Sequence, residues 1–386
     1  MRRLSILAMS AFVMVAAACG SDTGTGTGTE DSATTTTRAP DSAQAEKFQA
    51  ALDDVRNDFK FPGVVARVIT ADYEWTGSSG TAGQDSTEPP TASDHTRIGS
   101  ITKTFTVTAV LQLMQDGKLS LDDPIGKYVP GLPNGDTATL RQLADMTSGI
   151  PSYTFDENFQ NQLFGDPTKP WTPEQLLDIV RGAPPNFPPG EKWEYSNSNL
   201  IALGLVVEQV SGQSLGDYIT EKIIEPLGMR ETSFPDTDEI PSPHLEGITE
   251  QGQPEGQTTD PTNWDPSWAW AAGAMISTLD DLQIWAKAIG TGEGLYDQQT
   301  QDVRMSSFLY GLPPNTATAA YGLGLGDADG WLSHTGELPG FNTYFGYDKN
   351  TQDIVLVAVN SDIPNAQNQN PAPAVVQKLQ AALAGS

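Results

Sequence analysis

The sequence predicts a mixed α/β fold of the α+β kind, in which an antiparallel sheet is flanked by helices and carries a mostly helical insertion. Strand-like patterns occur near both ends of the folded part of the chain. The stretch between them is rich in Pro and Gly and has helical patches separated by loops. We therefore expect an α/β domain split into residues 44–118 and 271–386, with an α-rich inserted domain at 119–270.

The first folded elements are predicted to be a helix and a hairpin. Apolar residues recur at helical spacing within residues 45–59, at Phe48, Leu52, Val55 and Phe59. Two β-branched runs, 63–71 and 73–83, follow on either side of Asp72, as in a β-hairpin. A strong helical pattern then runs from Ser100 to about Gln115 and is closed by a glycine.

The last third of the chain predicts an antiparallel meander. Turn residues bound four strand-like runs, at 320–326, 330–336, 341–349 and 353–361. An amphipathic helix is predicted before them, at 271–289, and a closing helix after them, at 372–385.

Composition excludes several classes of function. The formal net charge of −28 argues against a nucleic-acid partner, because phosphate binding needs a clustered basic surface. The chain has three histidines and one cysteine and lacks a His-Glu-x-x-His motif, which gives a zinc site little support. It also lacks a Gly-x-x-x-x-Gly-Lys phosphate loop. We expect neither a metal nor an organic cofactor.

The first 19 residues predict an export signal. Two arginines precede an apolar run at residues 4–15, and three alanines precede Cys19, the only cysteine. This ending resembles a bacterial lipobox, which implies lipidation of Cys19 and an anchor on the outer face of the cell membrane. Cleavage near Ala18, with a free cysteine and a secreted protein, is the alternative. Residues 20–43 are rich in Gly, Thr and Ser and predict a flexible tether.

A candidate nucleophile and its base lie at the start of the predicted helix after residue 99. Ser100 and Lys103 form the only Ser-x-x-Lys in the chain. Residues three apart share a helix face, so the amine can approach the hydroxyl. A partly desolvated lysine loses its proton more easily and can act as the base that serine requires. The helix N-terminus favours developing negative charge.

Two further motifs follow in the chain. Tyr195-Ser196-Asn197 is the only Tyr-x-Asn, and His334-Thr335-Gly336 lies on a predicted strand. With the Ser-x-x-Lys, these motifs and the sequence around them resemble the serine penicillin-recognising family, over residues 44–383. That family includes D-alanyl-D-alanine carboxypeptidases, class C β-lactamases and related esterases. The resemblance implies the β-lactamase/transpeptidase-like fold and acyl-enzyme chemistry.

The resemblance also implies roles for single residues. Ser100 matches the acylated nucleophile and Lys103 its proton acceptor, while Tyr195 matches the tyrosine that protonates the leaving group. Asn197 matches the asparagine that binds the substrate amide, and His334 stands where the family more often has lysine. The remaining substrate-binding positions are Thr335, Gly336, Glu337 and Trp270, with the backbone N–H groups of Ser100 and Glu337 as the oxyanion hole.

The natural substrate stays open. Carboxypeptidases bind a free carboxylate, but Asp327 and Asp329 precede the His-Thr-Gly box, Glu337 follows it, and a carboxylate beside them meets like charges. An arginine from elsewhere, such as Arg304, is one way to supply the missing cation. A small-molecule ester or amide, a β-lactam and a peptidoglycan-type peptide remain as alternatives, as does a catalytically silent binding protein of the cell envelope. Oligomeric state is not predicted.

Overall fold

The computed structural model describes residues 38–385, and its main feature is a seven-stranded antiparallel sheet with helices on both faces. The sheet has the strand order β2-β1-β9-β8-β7-β6-β5, so the hairpin from the start of the chain pairs with its last strand. The predicted mixed fold is confirmed. The strands are β1 (Gly63–Ile69), β2 (Glu74–Gly80), β3 (Thr96–Arg97), β4 (Ile276–Ser277), β5 (Ala319–Tyr321), β6 (Gly326–Ala328), β7 (Trp331–Leu338), β8 (Phe341–Asp348) and β9 (Ile354–Val359), of which β3 and β4 form a separate pair.

Helices surround the sheet and make up most of the regular structure between β3 and β4. A short 3₁₀ turn, Gly99–Ile101, leads directly into the second α-helix, so Ser100 lies just before that helix rather than within it. The α-helices are α1 (Ser42–Phe59), α2 (Thr102–Gln115), α3 (Leu140–Ala144), α4 (Glu157–Gly165), α5 (Pro173–Asp178), α6 (Asn197–Ser211), α7 (Leu215–Ile219), α8 (Glu225–Leu227), α9 (Trp270–Gly273), α10 (Leu279–Thr291), α11 (Gln298–Met305) and α12 (Pro371–Ala384).

The first helix begins slightly earlier than the sequence predicts. Helix α1 starts at Ser42, because the Asp41 carboxylate accepts a hydrogen bond from the backbone N–H of Gln44 at 2.8 Å and caps the helix. The predicted signal, Cys19 and the tether up to residue 37 lie outside the described residues. Within residues 38–385, no helix combines the length and the apolar composition needed to cross a membrane. The division into two domains stays a prediction.

Both faces of the sheet are buried. On β9, Val355, Val357 and Val359 pack into a cluster with α1 and α12, while the alternate residues face the larger core on the opposite side. Side chains of a strand point alternately to the two faces, so a strand covered on both sides is apolar throughout. This explains why the sequence of β9 lacks a polar alternation.

Helix α2 is buried around almost its entire circumference and holds the turn with Ser100 in place. Its threonine hydroxyls are satisfied internally: Thr108 donates to the carbonyl oxygen of Thr104 at 2.7 Å. The indole of Trp285 on α10 donates to the Thr104 hydroxyl at 2.9 Å. The ring of Phe105 stacks on Trp285 with centroids 3.7 Å apart. These contacts fix α2 against α10.

We expect Phe105→Ala to lower the free energy of unfolding by about 3–5 kcal/mol, because it leaves a cavity against Trp285. Chemical denaturation followed by tryptophan fluorescence measures this loss. The matched control is Phe155→Ala, since Phe155 is 50% exposed. Its expected loss is below about 1 kcal/mol. Equal losses in the two variants would contradict the rigid mounting of α2.

Candidate active site

The predicted nucleophile and base are in direct contact. The Lys103 amine and the Ser100 hydroxyl are hydrogen-bonded at 2.8 Å, and Lys103 also donates to the carbonyl oxygen of Ala272 at 2.6 Å. Lys103 is fully buried, and this burial lowers the pKa of its amine well below the ordinary value. A neutral amine has a lone pair, so it can accept the serine proton.

Close backbone packing brings β7 against the turn that contains Ser100. Gly99 has a φ of +49°, and a Cβ there would lie 2.5 Å from the backbone nitrogen of Glu337. A Cβ on Gly336 would lie 1.9 Å from the carbonyl oxygen of Ile98. Both positions therefore require glycine. The Ser100 turn and the end of β7 form two walls of one cleft.

Tyr195 forms a third wall at the start of α6. The Lys103 Nζ lies 4.9 Å from the centre of its ring. The Tyr195 hydroxyl is buried and makes no hydrogen bond of standard geometry within the described residues, although it lies near enough to Ser100 to interact with it. Burial is the main cause that raises the pKa of this phenol. A protonated, unpaired phenol beside the nucleophile is suited to donate a proton.

The cleft between these walls has a volume of about 450 Å³ and a largely apolar, aromatic lining. Helix α6 and the loop before it supply one side, and the segment around α9 supplies another. No lysine or arginine is among its lining residues, which are Ser100, Tyr153, Thr154, Phe155, Trp193, Glu194, Tyr195, Asn197, Trp268, Ala269, Ala272, Gly273, Pro314, Glu337 and Leu338.

Asn197 reaches the cleft as predicted, but it is not a helix cap. It is the first residue of α6, whose N-cap is Ser196. Its backbone N–H donates to the Ser152 hydroxyl at 3.1 Å, and its side-chain amide donates to the Thr154 hydroxyl at 3.2 Å. These bonds fix the side chain at the cleft wall.

The participation of His334 in the chemistry stays a prediction, and its surroundings are those of a residue that supports the site. His334 is buried behind the cleft, and its Nε2 lies 3.1 Å from the Tyr321 hydroxyl while Nδ1 lies 2.6 Å from the carbonyl oxygen of Thr335. Burial, together with the nearby Lys103 and Arg304, lowers the pKa of His334 to about 3. Both ring nitrogens have partners in the protein, an arrangement that suits a neutral ring supporting the site.

The other residues of the His-Thr-Gly box divide between wall and support. Glu337 lines the cleft, whereas Thr335 and Gly336 do not. The edge of β7 at residues 334–338 has no neighbouring strand on its outer side, because β6 pairs only as far as Ser333. An edge of this kind can add an extended substrate by backbone hydrogen bonds.

Trp270, which is predicted to line the cleft, is not among its lining residues. Its ring packs against Gly204 of α6, where an added Cβ would lie 2.7 Å from it, and its backbone has a φ of +30°. Trp268, two residues earlier, is the cleft residue. Trp270 lies next to the Ala-rich segment at 271–274, but this proximity in sequence does not bring its indole into the cleft. The turn between the 3₁₀ helix and α9 directs the Trp268 indole there instead.

Arg304 does not supply a cation to the cleft either. Its guanidinium is fully buried and donates to the Thr108 hydroxyl at 2.7 Å and to the carbonyl oxygen of Thr104 at 3.4 Å. The acids that precede the His-Thr-Gly box in the sequence also repel a bound carboxylate less than the sequence predicts. Asp327 is buried on β6, where it accepts a hydrogen bond from the Tyr310 hydroxyl at 2.6 Å and pairs with Lys349.

Sequence reasoning missed several cleft residues. Tyr153, Phe155 and Trp193 carry no motif of their own, and only the position of Trp193 two residues before Tyr195 hinted at a shared wall. The carbonyl oxygen of Ala272 that accepts from Lys103 is a backbone group, which a sequence pattern does not reveal. Across residues 38–385, no group of three or more His, Cys, Asp or Glu side chains is arranged to hold a metal ion.

A buried lysine against a serine hydroxyl, faced by a phenol at the edge of an antiparallel sheet, defines the class of serine hydrolases. The family profile described as Beta-lactamase matches residues 48–380. The chain belongs to this family, as the resemblance predicted.

Individual relatives agree with this assignment. The chain is 30% identical over 263 residues to the putative penicillin-binding protein PbpX of Bacillus subtilis (strain 168), covering 68% of this chain and 61% of that protein. A D-stereospecific amidohydrolase from Streptomyces sp. superimposes with a TM-score of 0.78 at 31% identity, covering 90% of this chain and 100% of that one. D-amino acid amidase from Ochrobactrum anthropi SV3, complexed with L-phenylalanine amide, superimposes with a TM-score of 0.78 at 26% identity, covering 89% and 99%.

We expect Lys103→Met to slow acylation of Ser100 by about 10²–10⁴-fold, because methionine has similar length but cannot accept the hydroxyl proton. The rate of labelling by a fluorophosphonate probe measures the change. Lys118→Met, at a half-exposed lysine just beyond α2, is the matched control and should label at the normal rate. In the unaltered protein, labelling should be lost at acid pH, when Lys103 becomes protonated. Because the pKa of Lys103 is lowered, this loss should occur below the pH range in which an ordinary lysine titrates. Normal labelling of Lys103→Met would exclude lysine as the base.

Proposed function

We propose that this protein is an exported serine hydrolase that cleaves neutral amides or esters through an acyl-enzyme on Ser100. The observation that carries the proposal is the 2.8 Å contact between the Ser100 hydroxyl and the fully buried Lys103 amine. Fully buried lysine amines are rare and are concentrated at functional sites. Here burial favours the neutral, unprotonated amine, which is the form that can act as a base.

The first chemical step is attack on the substrate carbonyl. Lys103 takes the hydroxyl proton as the Ser100 Oγ forms a bond to the carbonyl carbon, and the carbonyl oxygen becomes negatively charged. The backbone N–H groups of Ser100 and Glu337 stabilise this charge. Tyr195 gives its proton to the leaving nitrogen or oxygen as that bond breaks and is reprotonated from Lys103. Water then releases the acyl group by the reverse sequence.

The character of the cleft favours a neutral substrate with a bulky apolar group. Its lining is largely aromatic and contains no lysine or arginine, so the terminal carboxylate of a peptide has no counter-charge there. The amidohydrolase and the amidase that share the fold support an amide as the bond that is cleaved. Similarity to a penicillin-binding protein keeps a peptidoglycan-type peptide and a β-lactam as the second candidates.

Export and anchoring belong to the same proposal. A charged n-region, an apolar run and Cys19 after three alanines support a lipoprotein signal, and the tether at 20–43 gives the domain reach from a membrane surface. The protein then acts on the outer face of the cell membrane, on substrates that meet it there.

We expect the purified domain to hydrolyse p-nitrophenyl acetate and D-phenylalanine amide faster than a peptide ending in D-Ala-D-Ala or the β-lactam nitrocefin. The physical reason is the lack of a cation in the cleft. Comparison of kcat/KM for the four compounds, with mass spectrometry of the adduct, measures the preference.

Ser100→Ala is the matching variant for that experiment and should form no adduct. Ser120→Ala, at an exposed serine, should behave like the unaltered protein. Absence of a Ser100-dependent adduct with every compound and with a fluorophosphonate would favour the catalytically silent binding protein. Preference for the D-Ala-D-Ala peptide would instead favour the carboxypeptidase.

We expect expression in a bacterial host with radiolabelled palmitate to label the full chain and to place it in the membrane fraction. Cys19→Ala removes the thiol that carries the lipid, so it should abolish the label and release the protein. A full chain that is secreted without label would support cleavage near Ala18 in place of lipidation.

A further inference from the structure

The side chain of Glu337 is a partly buried acid in the cleft lining, on the residue whose backbone N–H completes the proposed oxyanion hole. Its Oε2 accepts a hydrogen bond from the side-chain amide of Asn370 at 2.6 Å. Burial, with a contribution from Asp362, raises the pKa of Glu337 to about 8. The carboxyl group is therefore mostly protonated and neutral at pH 7.

Asn370 binds Glu337 instead of capping its own helix. It is the N-cap residue of α12, yet its side chain makes no capping hydrogen bond. Asn342 binds the first turn of α12 in its place. The Asn342 Oδ1 accepts from the backbone N–H of Ala372 at 2.7 Å, and its Nδ2 donates to the carbonyl oxygen of Gly336 at 3.0 Å. The two asparagines thus tie the start of α12 to β7 beside the cleft, Asn370 through the Glu337 side chain and Asn342 through the backbone.

Two other titratable groups face Glu337. Asp362, after β9, accepts a hydrogen bond from the backbone N–H of Gly340 at 3.0 Å and one from the Thr249 hydroxyl at 3.0 Å. Tyr195 faces it across the cleft, and the Glu337 charge helps to raise the pKa of that phenol. Among the described residues, no lysine or arginine contributes to the pKa shift of Glu337, so an ionised Glu337 has no counter-charge.

We propose that the Glu337 side chain, anchored by Asn370, is a positioning residue that directs its own backbone N–H at the substrate carbonyl oxygen, and that ionisation of its carboxyl group slows acylation. The inference rests on the proposed function. A carboxylate beside the oxyanion hole repels the charge that develops on the substrate oxygen. Its charge is also repelled by Asp362, which weakens the anchoring of Glu337 by Asn370 at the end of β7.

The test compares the pH dependence of kcat/KM for p-nitrophenyl acetate, corrected for spontaneous hydrolysis, in three proteins. In the unaltered protein we expect kcat/KM to fall as the pH rises through about 8, the pKa of Glu337. Glu337→Gln removes this basic limb, because the amide does not ionise. Asp362→Asn moves the limb to lower pH, because loss of the neighbouring negative charge lowers the pKa of Glu337. If Glu337 had only a structural role, the variants would show a lower kcat/KM, but the fall of kcat/KM at basic pH would stay at the same pH.

Thermal unfolding gives a second measurement that does not need activity. Glu337 holds its proton more tightly in the folded protein, with a pKa of about 8 against an ordinary value of 4.5. Its contribution to stability is therefore present at low pH and is lost as the pH rises through this range. The Tm of Glu337→Gln, relative to the unaltered protein, should increase over the same interval.

The positioning effect has its own variant. Asn370→Ala removes the anchor of Glu337, and we expect kcat to fall by about tenfold with little change in KM, as for an interaction made in the transition state. A basic limb that persists in Glu337→Gln, or that Asp362→Asn leaves in place, overturns the proposal. Absence of Ser100-dependent hydrolysis in all the proteins overturns the proposed function, and this inference with it, whereas an unshifted limb in an active enzyme overturns only the inference.

Discussion

Desolvation of the Lys103 amine against the Ser100 hydroxyl is the constraint on which the rest of the structure depends. An ammonium group is stable in water, so the lysine is a base at neutral pH only if the protein excludes solvent around it. Helix α2, the Ala272 carbonyl and the Tyr195 ring together provide this enclosure. The larger hydrophobic core, which surrounds α2, thus stabilises the fold and also keeps water away from the Lys103 amine.

The same enclosure demands that every nearby polar group has a partner. Threonine hydroxyls of α2 return to backbone carbonyls, and the Arg304 guanidinium donates into the same helix. The His334 ring is held neutral between Tyr321 and the backbone. The exceptions among the described residues near the site are the Tyr195 hydroxyl, the Trp193 indole N–H, the Ser196 hydroxyl and Arg304 Nε, which make no hydrogen bond of standard geometry.

Charge is distributed unevenly between surface and site. The chain carries a net charge of −28, yet two acids near the His-Thr-Gly box are neutralised, one by protonation and one by pairing, while Glu194 in the cleft lining is exposed. Glu337 has a pKa of about 8, and Asp327 pairs with Lys349 on the far side of β7. The acids near the His-Thr-Gly box in the sequence therefore indicate more repulsion of a substrate carboxylate than the structure shows. The cleft lining still contains no lysine or arginine to bind such a carboxylate.

The sequence by itself determined the sheet, its main helices and the group of Ser100, Lys103, Tyr195 and Asn197. The sheet, the helices and the pairing of Ser100 with Lys103 follow from periodicity and spacing within single elements, whereas Tyr195 and Asn197 were placed in the same site only by the resemblance to the family. The tertiary structure alone decided that His334 turns to Tyr321, that Trp268 and not Trp270 enters the cleft, and that Arg304 is buried beneath α2. Those outcomes depend on which distant segments pack together, and hence on contacts between residues far apart in the chain that no local pattern records.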